Sequence, residues 1–250
     1  MSVDPVCGLE VGERHAEAVA FHRGRLYYFC SVEHERLFSA DPAAFADRVR
    51  AMALKVGVMG AASGDLSETV RGAAYELGVA IARKEMITIT GAAPGLPWES
   101  ARGAQAHGGL SIGISPGLSL DEHIHVYHSP ADVFDVMIYT GSGLMGREIY
   151  NIRSSDMVVI CGGHSGTLGE FAIAYDEGKL IGVLEGSGGI ADLIPELVRA
   201  IGKETGSELV YDADPDRLID RLVDEYVGAH YRRPSVFEHN NRNGRSDLPG

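Results

Sequence analysis

The sequence contains few basic residues relative to its acidic ones. Its 250 residues include 22 Lys and Arg against 35 Asp and Glu, which gives a net charge of −13 with His neutral. Nucleic acids and anionic membrane surfaces are bound through basic side chains that displace counterions or contact headgroups. We therefore expect neither a nucleic acid nor a membrane surface as a partner.

The sequence also lacks long apolar runs and has few cysteines. No stretch approaches the ~20 apolar residues of a membrane span, and the first four residues lack the basic and apolar regions of a signal peptide. Cys7, Cys30 and Cys161 are an odd number spread over the chain, unlike a disulfide framework. These absences predict a cytoplasmic protein whose cysteines either bind a metal or occur by chance.

Glycine is abundant. There are 32 glycines among 250 residues, well above the usual ~7%.

The composition of the chain changes near residue 50. Two cysteines and an aromatic stretch precede the boundary, and glycine-punctuated apolar segments follow it. We predict a small domain over 1–50, a larger one over 51–231, and a polar tail over 232–250 that is disordered or lies on a partner subunit. The small domain is short for a self-sufficient core, which favours a bound metal.

From Leu54 onward, short apolar segments alternate with segments of helical periodicity. Uninterrupted apolar strands are typical of parallel sheets that are covered on both faces. The pattern therefore predicts an α/β fold with a doubly wound, parallel, Rossmann-like sheet. The predicted strands are 54–59, 86–90, 110–114, 135–139, 157–160 and 180–184, and the predicted helices are 68–83, 98–106, one after Thr167, 190–200 and 215–226.

Cys7, Cys30 and His34 have the spacing of a metal site. Twenty-two residues separate the two cysteines, and three residues separate Cys30 from His34. Thiolate and imidazole groups suit zinc, and copper(I) is also suitable. If a helix opens at Ser31, Cys30 and His34 lie one turn apart on one face. The fourth ligand stays open among His15, His22, Asp4 and water.

Further residues around these ligands form a pattern: Asp4-Pro5-Val6-Cys7-Gly8-Leu9, Tyr27-Tyr28-Phe29-Cys30-Ser31, Phe38 and Asp41-Pro42-Ala43-Ala44-Phe45. Over residues 3–48 it resembles the YHS domain, a small treble-clef relative of the heavy-metal TRASH motif. The resemblance implies a small N-terminal treble-clef-like domain that binds metal. His34 stands where the family commonly has cysteine, which makes the site less thiophilic. The alternative is two buried, apolar cysteines and a solvated His34.

Three glycine-rich turns each follow a predicted strand of the larger domain, at 60–64, 91–95 and 162–167. Parallel strands end at one edge of a sheet, so these turns are expected to meet in one crevice where helix N-termini attract phosphate. There is no Walker lysine and no GxGxxG after the first strand, which excludes a P-loop triphosphatase and an ordinary NAD enzyme. The alternative is that the glycines only make tight strand-to-helix turns.

The stretch from Gly146 to Glu170 carries a more specific pattern. Gly146-Arg147, Ser155-Asp156 and Gly162-Gly163-x-x-Gly166-Thr167-x-x-Glu170 resemble the arginine and the PGGxGTxxE signature of the LOG (Lonely Guy) family of nucleoside monophosphate phosphoribohydrolases. The resemblance extends over 54–200 and departs at Gly162, in place of proline, and at His164, in place of glycine. It implies cofactor-free hydrolysis to a base and ribose 5-phosphate. It also implies a homodimer, because LOG relatives complete their sites across a two-fold interface.

Arg147 and Glu170 are the candidate catalytic residues. A carboxylate can stabilise an oxocarbenium-like ribose or position water, and an arginine can hold the phosphate or assist the departing base. The alternatives are a surface ion pair for Arg147 and an exposed first-turn glutamate for Glu170. The candidate nucleotide- and phosphate-binding residues are Gly60, Gly91, Gly95, Glu99, Gly162, Gly163, His164, Ser165, Gly166 and Thr167.

Other residues favour a second interpretation. Glu99 after Trp98, the Thr140-Gly141 turn and Arg153-Ser154-Ser155-Asp156 are more similar to the sister branch that includes the molybdenum cofactor carrier protein. This similarity implies a non-catalytic carrier or sensor that binds a nucleotide or a molybdenum cofactor and is linked to the metal-binding domain.

Overall fold

The computed structural model describes residues 2–232, and its N-terminal segment consists of two antiparallel strand pairs and one helix. The first pair joins strands β1 and β2, and the second joins β3 and β4. Phe29 and Phe38 are fully buried at the centre of a small apolar core. The elements are β1 (Ser2–Val3), β2 (Glu10–Val11), β3 (Ala18–His22), β4 (Arg25–Phe29) and α1 (Val32–Ala40).

The N-terminal segment packs directly on the rest of the chain. The amide of Leu54 donates a 2.7 Å hydrogen bond to the carbonyl of Gly24, and Arg23 pairs with Glu85 at 2.9 Å. Leu26 is buried in the core of the larger domain rather than in the small one. The segment therefore shares apolar contacts with the larger domain, and the boundary at residue 50 stays a prediction.

The larger part of the chain alternates strands and helices. Its elements are β5 (Lys55–Gly60), α2 (Glu68–Arg83), β6 (Ile87–Thr90), α3 (Leu96–Ala106), β7 (Ser111–Ser115), α4 (Leu120–His125), β8 (Val136–Tyr139), α5 (Gly143–Ser154), β9 (Met157–Cys161), α6 (Ser165–Asp176), β10 (Leu180–Leu184), α7 (Gly189–Ile201), β11 (Glu208–Asp212) and α8 (Pro215–Gly228). Seven parallel strands form one sheet in the order β11-β10-β9-β5-β6-β7-β8, which confirms the predicted fold class.

Alternate residues of the central strand β9 face two separate cores. Val159 packs in the core that α2 and α8 cover, whereas Val158 and Ile160 pack in the core that α5, α6 and α7 cover. Successive strand residues point to opposite faces of a sheet. Every residue of β9 is buried, as expected for a strand covered by helices on both sides.

The strand order reverses at the boundary between β5 and β9. After β5 the chain adds β6, β7 and β8 on one side, and then returns to place β9 on the other side of β5. The helices that follow β5 and β9 therefore cover opposite faces of the sheet and leave a crevice at the carboxyl ends of these two strands. Ligands of open α/β sheets bind at such a reversal.

Most predicted elements of the larger domain are confirmed with bounds that differ by at most two residues, and there are one larger shift and three omissions. Helix α2 and strand β10 have the predicted bounds. Helix α6 begins at Ser165, so Thr167 lies inside its first turn rather than before it. Helices α4 and α5 and strand β11 were not predicted. Helix α5 exposes much of its apolar surface, so it does not show the burial pattern that predicts the other helices.

The C-terminal end of the described chain contacts the N-terminal segment. Arg232 lies in a short 3-10 turn and donates a 2.9 Å hydrogen bond to the carbonyl of Ala16. The rest of the predicted tail, 233–250, lies outside the described residues. Of the helices in the described part of the chain, none has the length and apolar content to cross a bilayer.

Candidate functional site

A cavity of about 350 Å³ opens at the reversal of strand order. The end of β5, the turn after β6, helix α5 and the first turn of α6 form its walls. The lining residues are Val58, Met59, Gly60, Ala61, Ala62, Ser63, Gly91, Ala93, Pro97, Leu144, Arg147, Glu148, His164, Ser165, Gly166, Thr167 and Glu170. Eight of the twelve residues predicted from the nucleotide-site pattern are therefore brought together in one place.

The start of helix α6 faces this cavity. No side chain of the described chain caps the helix at His164, and Ser165, Gly166 and Thr167 follow it along the cavity wall. The first N–H groups of a helix have no partner within the helix, and the helix dipole adds positive potential there. The geometry therefore suits a phosphate or another anion.

Three of the predicted glycines shape the turns but do not line the cavity. Gly162 and Gly163 have φ angles of 58° and 103°, which side-chain-bearing residues rarely adopt. The amide of Gly162 is already used, because it donates a 2.8 Å hydrogen bond to Oγ of Ser187. Gly95 has a φ of 77° and lies against the backbone of Ala61. We conclude that these glycines position the loops.

Glu99 is also not brought to the cavity. It is buried, and its carboxylate is held 2.6 Å from Nη2 of Arg102 and 3.6 Å from Nη1 of Arg71. The guanidinium of Arg102 in turn lies over the rings of Tyr75 and Trp98. Helix α3 therefore presents Glu99 to an ion-pair network between α2 and α3, where it ties the two helices together.

Arg147 is half-buried, and its guanidinium makes no ion pair with a carboxylate among the described residues. Its guanidinium donates to the carbonyl of Gly91, and a side chain at Gly91 would collide with it. Burial lowers the pKa of Arg147, and the nearby Glu170 and Glu148 oppose this shift. Its buried Nε has no hydrogen-bond partner within the described chain. Such a group is available to a ligand oxygen.

Glu170 is also buried, with only 7% of its surface exposed, and is not the exposed first-turn glutamate of the alternative interpretation. Nδ2 of Asn151 donates a 3.2 Å hydrogen bond to its Oε1. Burial raises the pKa of Glu170 to about 7, with Arg147 and Asn151 lowering it and Glu148 raising it further. A carboxyl group that titrates near neutral pH is suited to proton transfer.

Sequence reasoning missed Glu148 as a site residue. It follows Arg147 on α5, is 5% exposed and lines the same cavity. Burial raises its pKa, and the positive charge of Arg147 opposes the shift. Its role depends on how α5 packs against α6, so no local signal in the sequence distinguishes it from a solvated glutamate.

The second group of predicted residues converges in the N-terminal segment. Asp4, Cys7, Cys30 and His34 each place one potential ligand atom within 4.8 Å of the others. The two Sγ atoms are 3.7 Å apart, Sγ of Cys30 is 3.4 Å from Nδ1 of His34, and that Nδ1 is 2.9 Å from Oδ2 of Asp4. Asp4 thus joins the three predicted ligands, whereas His15 and His22 do not belong to the group.

Local hydrogen bonds explain how this cluster forms. Oγ of Ser31 accepts from the amide of His34 and starts helix α1, which places Cys30 just before the helix and His34 in its first turn. Asp4 is fully buried. Burial alone would raise its pKa, but the amides of Cys30 and Val6 and the ring of His34 hold the pKa well below its usual range. Asp4 therefore stays ionised beside the two thiols.

Comparisons with known proteins agree with the fold of the larger domain. The family model described as LDcluster4, SLOG cluster4 family, matches residues 53–219. An uncharacterized protein of Archaeoglobus fulgidus is 34% identical over 132 residues, which cover 53% of this chain and 80% of the relative. The matched family region includes every residue that lines the cavity and excludes Asp4, Cys7, Cys30 and His34.

Two of the similar solved structures are molybdenum cofactor proteins. The molybdenum cofactor binding protein of the phototrophic bacterium Rippkaea orientalis is 29% identical, with a TM-score of 0.57 over 70% of this chain and 97% of that one. The molybdenum cofactor carrier protein of Chlamydomonas reinhardtii is 28% identical, with a TM-score of 0.56 over 68% of this chain and 98% of that one.

The buried position of Glu170 predicts a measurable effect on stability. Its pKa is raised from 4.5 to about 7 in the folded protein, so the folded state binds its proton more tightly than the unfolded state. Relative to its value well above pH 7, the free energy of unfolding is higher by up to about 3 kcal/mol below pH ~4.5. This gain is lost as the pH rises through ~7. Glu170→Gln, which cannot ionise, should not show this loss.

Chemical denaturation between pH 4.5 and 8 tests the prediction. Glu196→Gln removes an exposed glutamate from α7 and serves as the matched control, which should follow the wild type. The assignment fails if Glu170→Gln also follows the wild type over this range.

Proposed function

The chain belongs to the SLOG cluster4 family, and from this premise we propose that its cavity binds a nucleoside 5′-monophosphate and hydrolyses the N-glycosidic bond. The products are the free base and ribose 5-phosphate. One observation carries the proposal: an uncapped helix start, the half-buried Arg147 and the buried Glu170, whose pKa is raised to about 7, line the same cavity. The resemblance of Arg147 and Glu170 to the LOG signature supports the same reaction.

Each group has a chemical role in this reaction. The first turn of α6 holds the phosphate, and its N–H groups fix the ribose relative to Glu170. As the bond from C1′ to the base breaks, its electrons pass to the base nitrogen and positive charge develops on the ribose. The ionised carboxylate of Glu170 stabilises this charge and takes a proton from the water that adds to C1′. The guanidinium of Arg147 stabilises the phosphate and the departing base. The base nitrogen finally takes up the proton that Glu170 took from water, and Glu170 becomes ionised again.

Release of adenine from AMP measures this activity directly. Arg147→Ala and Glu170→Ala should each lower kcat/KM by about 10²-fold or more, because each removes a charged group from the transition state. The rate should rise with pH and level off above about 7, because the carboxylate of Glu170 is the active form. The control variant Glu196→Ala should retain wild-type activity. Adenine release that persists undiminished in Glu170→Ala would rule out this mechanism.

A second candidate function is supported by the solved relatives. Their names describe binding and carriage of the molybdenum cofactor, and a carrier needs the anion site and the half-buried arginine but no bond cleavage. In that case the protein should bind a phosphorylated ligand tightly and release no adenine from AMP. The same assay, combined with equilibrium binding, therefore separates a hydrolase from a carrier.

We also propose that residues 1–50 form a YHS-type metal-binding domain, with zinc or copper held by Cys7, Cys30 and His34 and with Asp4 as the fourth ligand. The spacing fits zinc, because two thiolates on one tetrahedral ion are about 3.8 Å apart for Zn–S bonds of about 2.3 Å, and the two Sγ atoms are 3.7 Å apart. Without metal, the Asp4 carboxylate raises the pKa of Cys30 to about 12. A bound cation would favour the thiolate instead.

Elemental analysis of protein purified without chelator tests the metal site. We expect about one zinc or copper ion per chain, lost in Cys30→Ser and retained in Cys161→Ala, which changes a buried thiol outside the cluster. Binding should weaken as the pH falls, because protons compete for the thiolates and the imidazole. Wild-type protein that carries no stoichiometric metal and cannot be reloaded would contradict the proposal.

We further propose that the protein is a homodimer whose interface lies beside the cavity. Strand β8 is an edge of the sheet, and its Val136, Ile138 and Tyr139 are exposed. Leu144, Met145, Ile149 and Tyr150 on α5 are also exposed, and Leu144 lines the cavity. An exposed apolar surface next to an unpaired sheet edge is typical of an interface between subunits.

Sedimentation of substituted proteins tests this interface. The wild type should sediment as a dimer at micromolar concentration, and Met145→Asp should shift it toward the 26.7 kDa monomer. Leu193→Asp places the same charge at an exposed leucine of α7 and should leave the dimer intact. A wild type that is monomeric under these conditions would contradict the prediction.

A further inference from the structure

Glu148 is a buried carboxyl group that the proposed mechanism does not use. Only 5% of its surface is exposed, and it lines the cavity between Arg147 and the first turn of α6. Within the described part of the chain, no group donates a hydrogen bond to it. Burial of a carboxyl group without donors is unfavourable, so a protein that retains one in its cavity leaves it available for a ligand.

One glycine of α6, Gly169, leaves room for this carboxyl group, whereas a side chain at Gly166 would only reach ordinary contact with it. A Cβ atom at Gly169 would lie 2.6 Å from Oε2 of Glu148, and one at Gly166 would lie 3.5 Å from Oε1. Any larger residue at 169 would therefore displace the carboxyl group. The absence of a side chain at Gly169 therefore lets the carboxyl group of Glu148 lie against α6.

The distance between Glu148 and the anion site indicates which part of a bound nucleotide Glu148 would contact. From Gly166 to Gly169 the helix rises by about 4.5 Å, so the carboxyl group lies within about one helical turn of the phosphate position. In a nucleoside 5′-monophosphate, the ribose hydroxyls are closer to the phosphate than the hydrogen-bonding edge of the base is. Hydroxyl groups donate hydrogen bonds, and a carboxylate has two oxygens to accept them.

We propose that Glu148 recognises the ribose hydroxyls and makes the site selective for ribose over 2-deoxyribose. This inference rests on the proposed function, since it requires a sugar phosphate in the cavity. The proposal also gives the two carboxyl groups different roles. Glu170 is held by Asn151 and acts at C1′, whereas Glu148 has no hydrogen-bond donor among residues 2–232 and orients the sugar.

Binding of ribose 5-phosphate and 2-deoxyribose 5-phosphate, measured by titration calorimetry, tests the proposal, because neither probe contains an N-glycosidic bond to hydrolyse. The wild type should bind ribose 5-phosphate at least about ten-fold more tightly, as expected for a hydrogen bond to a charged group. Glu148→Gln should bring the ratio close to one, mainly by weakening the binding of ribose 5-phosphate. The control Glu196→Gln should keep the wild-type ratio.

Gly169→Ala provides a second variant that keeps Glu148 but displaces its carboxyl group. It should also reduce the ratio, and thermal melting shows whether both variants stay folded. A purely structural role for Glu148 would change both affinities together and leave the ratio unaltered, which would overturn the assignment. Equal binding of the two sugars by the wild type would also overturn it while leaving the proposed hydrolysis intact. Failure to bind AMP or either sugar phosphate would overturn both.

Discussion

The candidate site depends on the reversal of strand order between β5 and β9. Because the chain adds strands first on one side of β5 and later on the other, the connections after these two strands diverge to opposite faces of the sheet. The gap between them exposes the start of α6. Helix α5, which precedes β9, then places Arg147 and Glu148 across this gap from Glu170. No single loop builds the cavity, and its residues come from four separate parts of the chain.

Burial determines the charge state of this cavity. It raises the pKa values of Glu170 and Glu148 and lowers that of Arg147. The attraction between Arg147 and the two carboxylates limits these shifts, whereas the charge of Glu148 raises the pKa of Glu170 further. The cavity therefore holds one cation and two carboxyl groups whose protonation responds to a bound anion. A phosphate at the helix start would draw on both the helix dipole and the arginine.

Much of the fold follows from the sequence, because buried parallel strands and amphipathic helices leave clear apolar periodicity, as in α2 and β10. The candidate metal cluster was predicted in three of its four members, since Cys7, Cys30 and His34 have recognisable spacing. The fourth could not be chosen, because Asp4 reaches the cluster only through the turn over residues 4–9. The positions of Glu99 and Glu148 relative to the cavity could not be predicted from the sequence either. The rotation and packing of α3 and α5 turn the first away from the cavity and the second into it, and local sequence does not encode those tertiary contacts.

The most direct measurement of the central claim is a crystal structure of the Glu170→Gln protein with AMP, in which binding is retained and cleavage is blocked. The account predicts the phosphate at the amides of Ser165, Gly166 and Thr167, the ribose between Glu148 and residue 170, and the guanidinium of Arg147 within hydrogen-bond distance of the ligand. AMP bound elsewhere on the protein, or bound with its phosphate away from the start of α6, would contradict it.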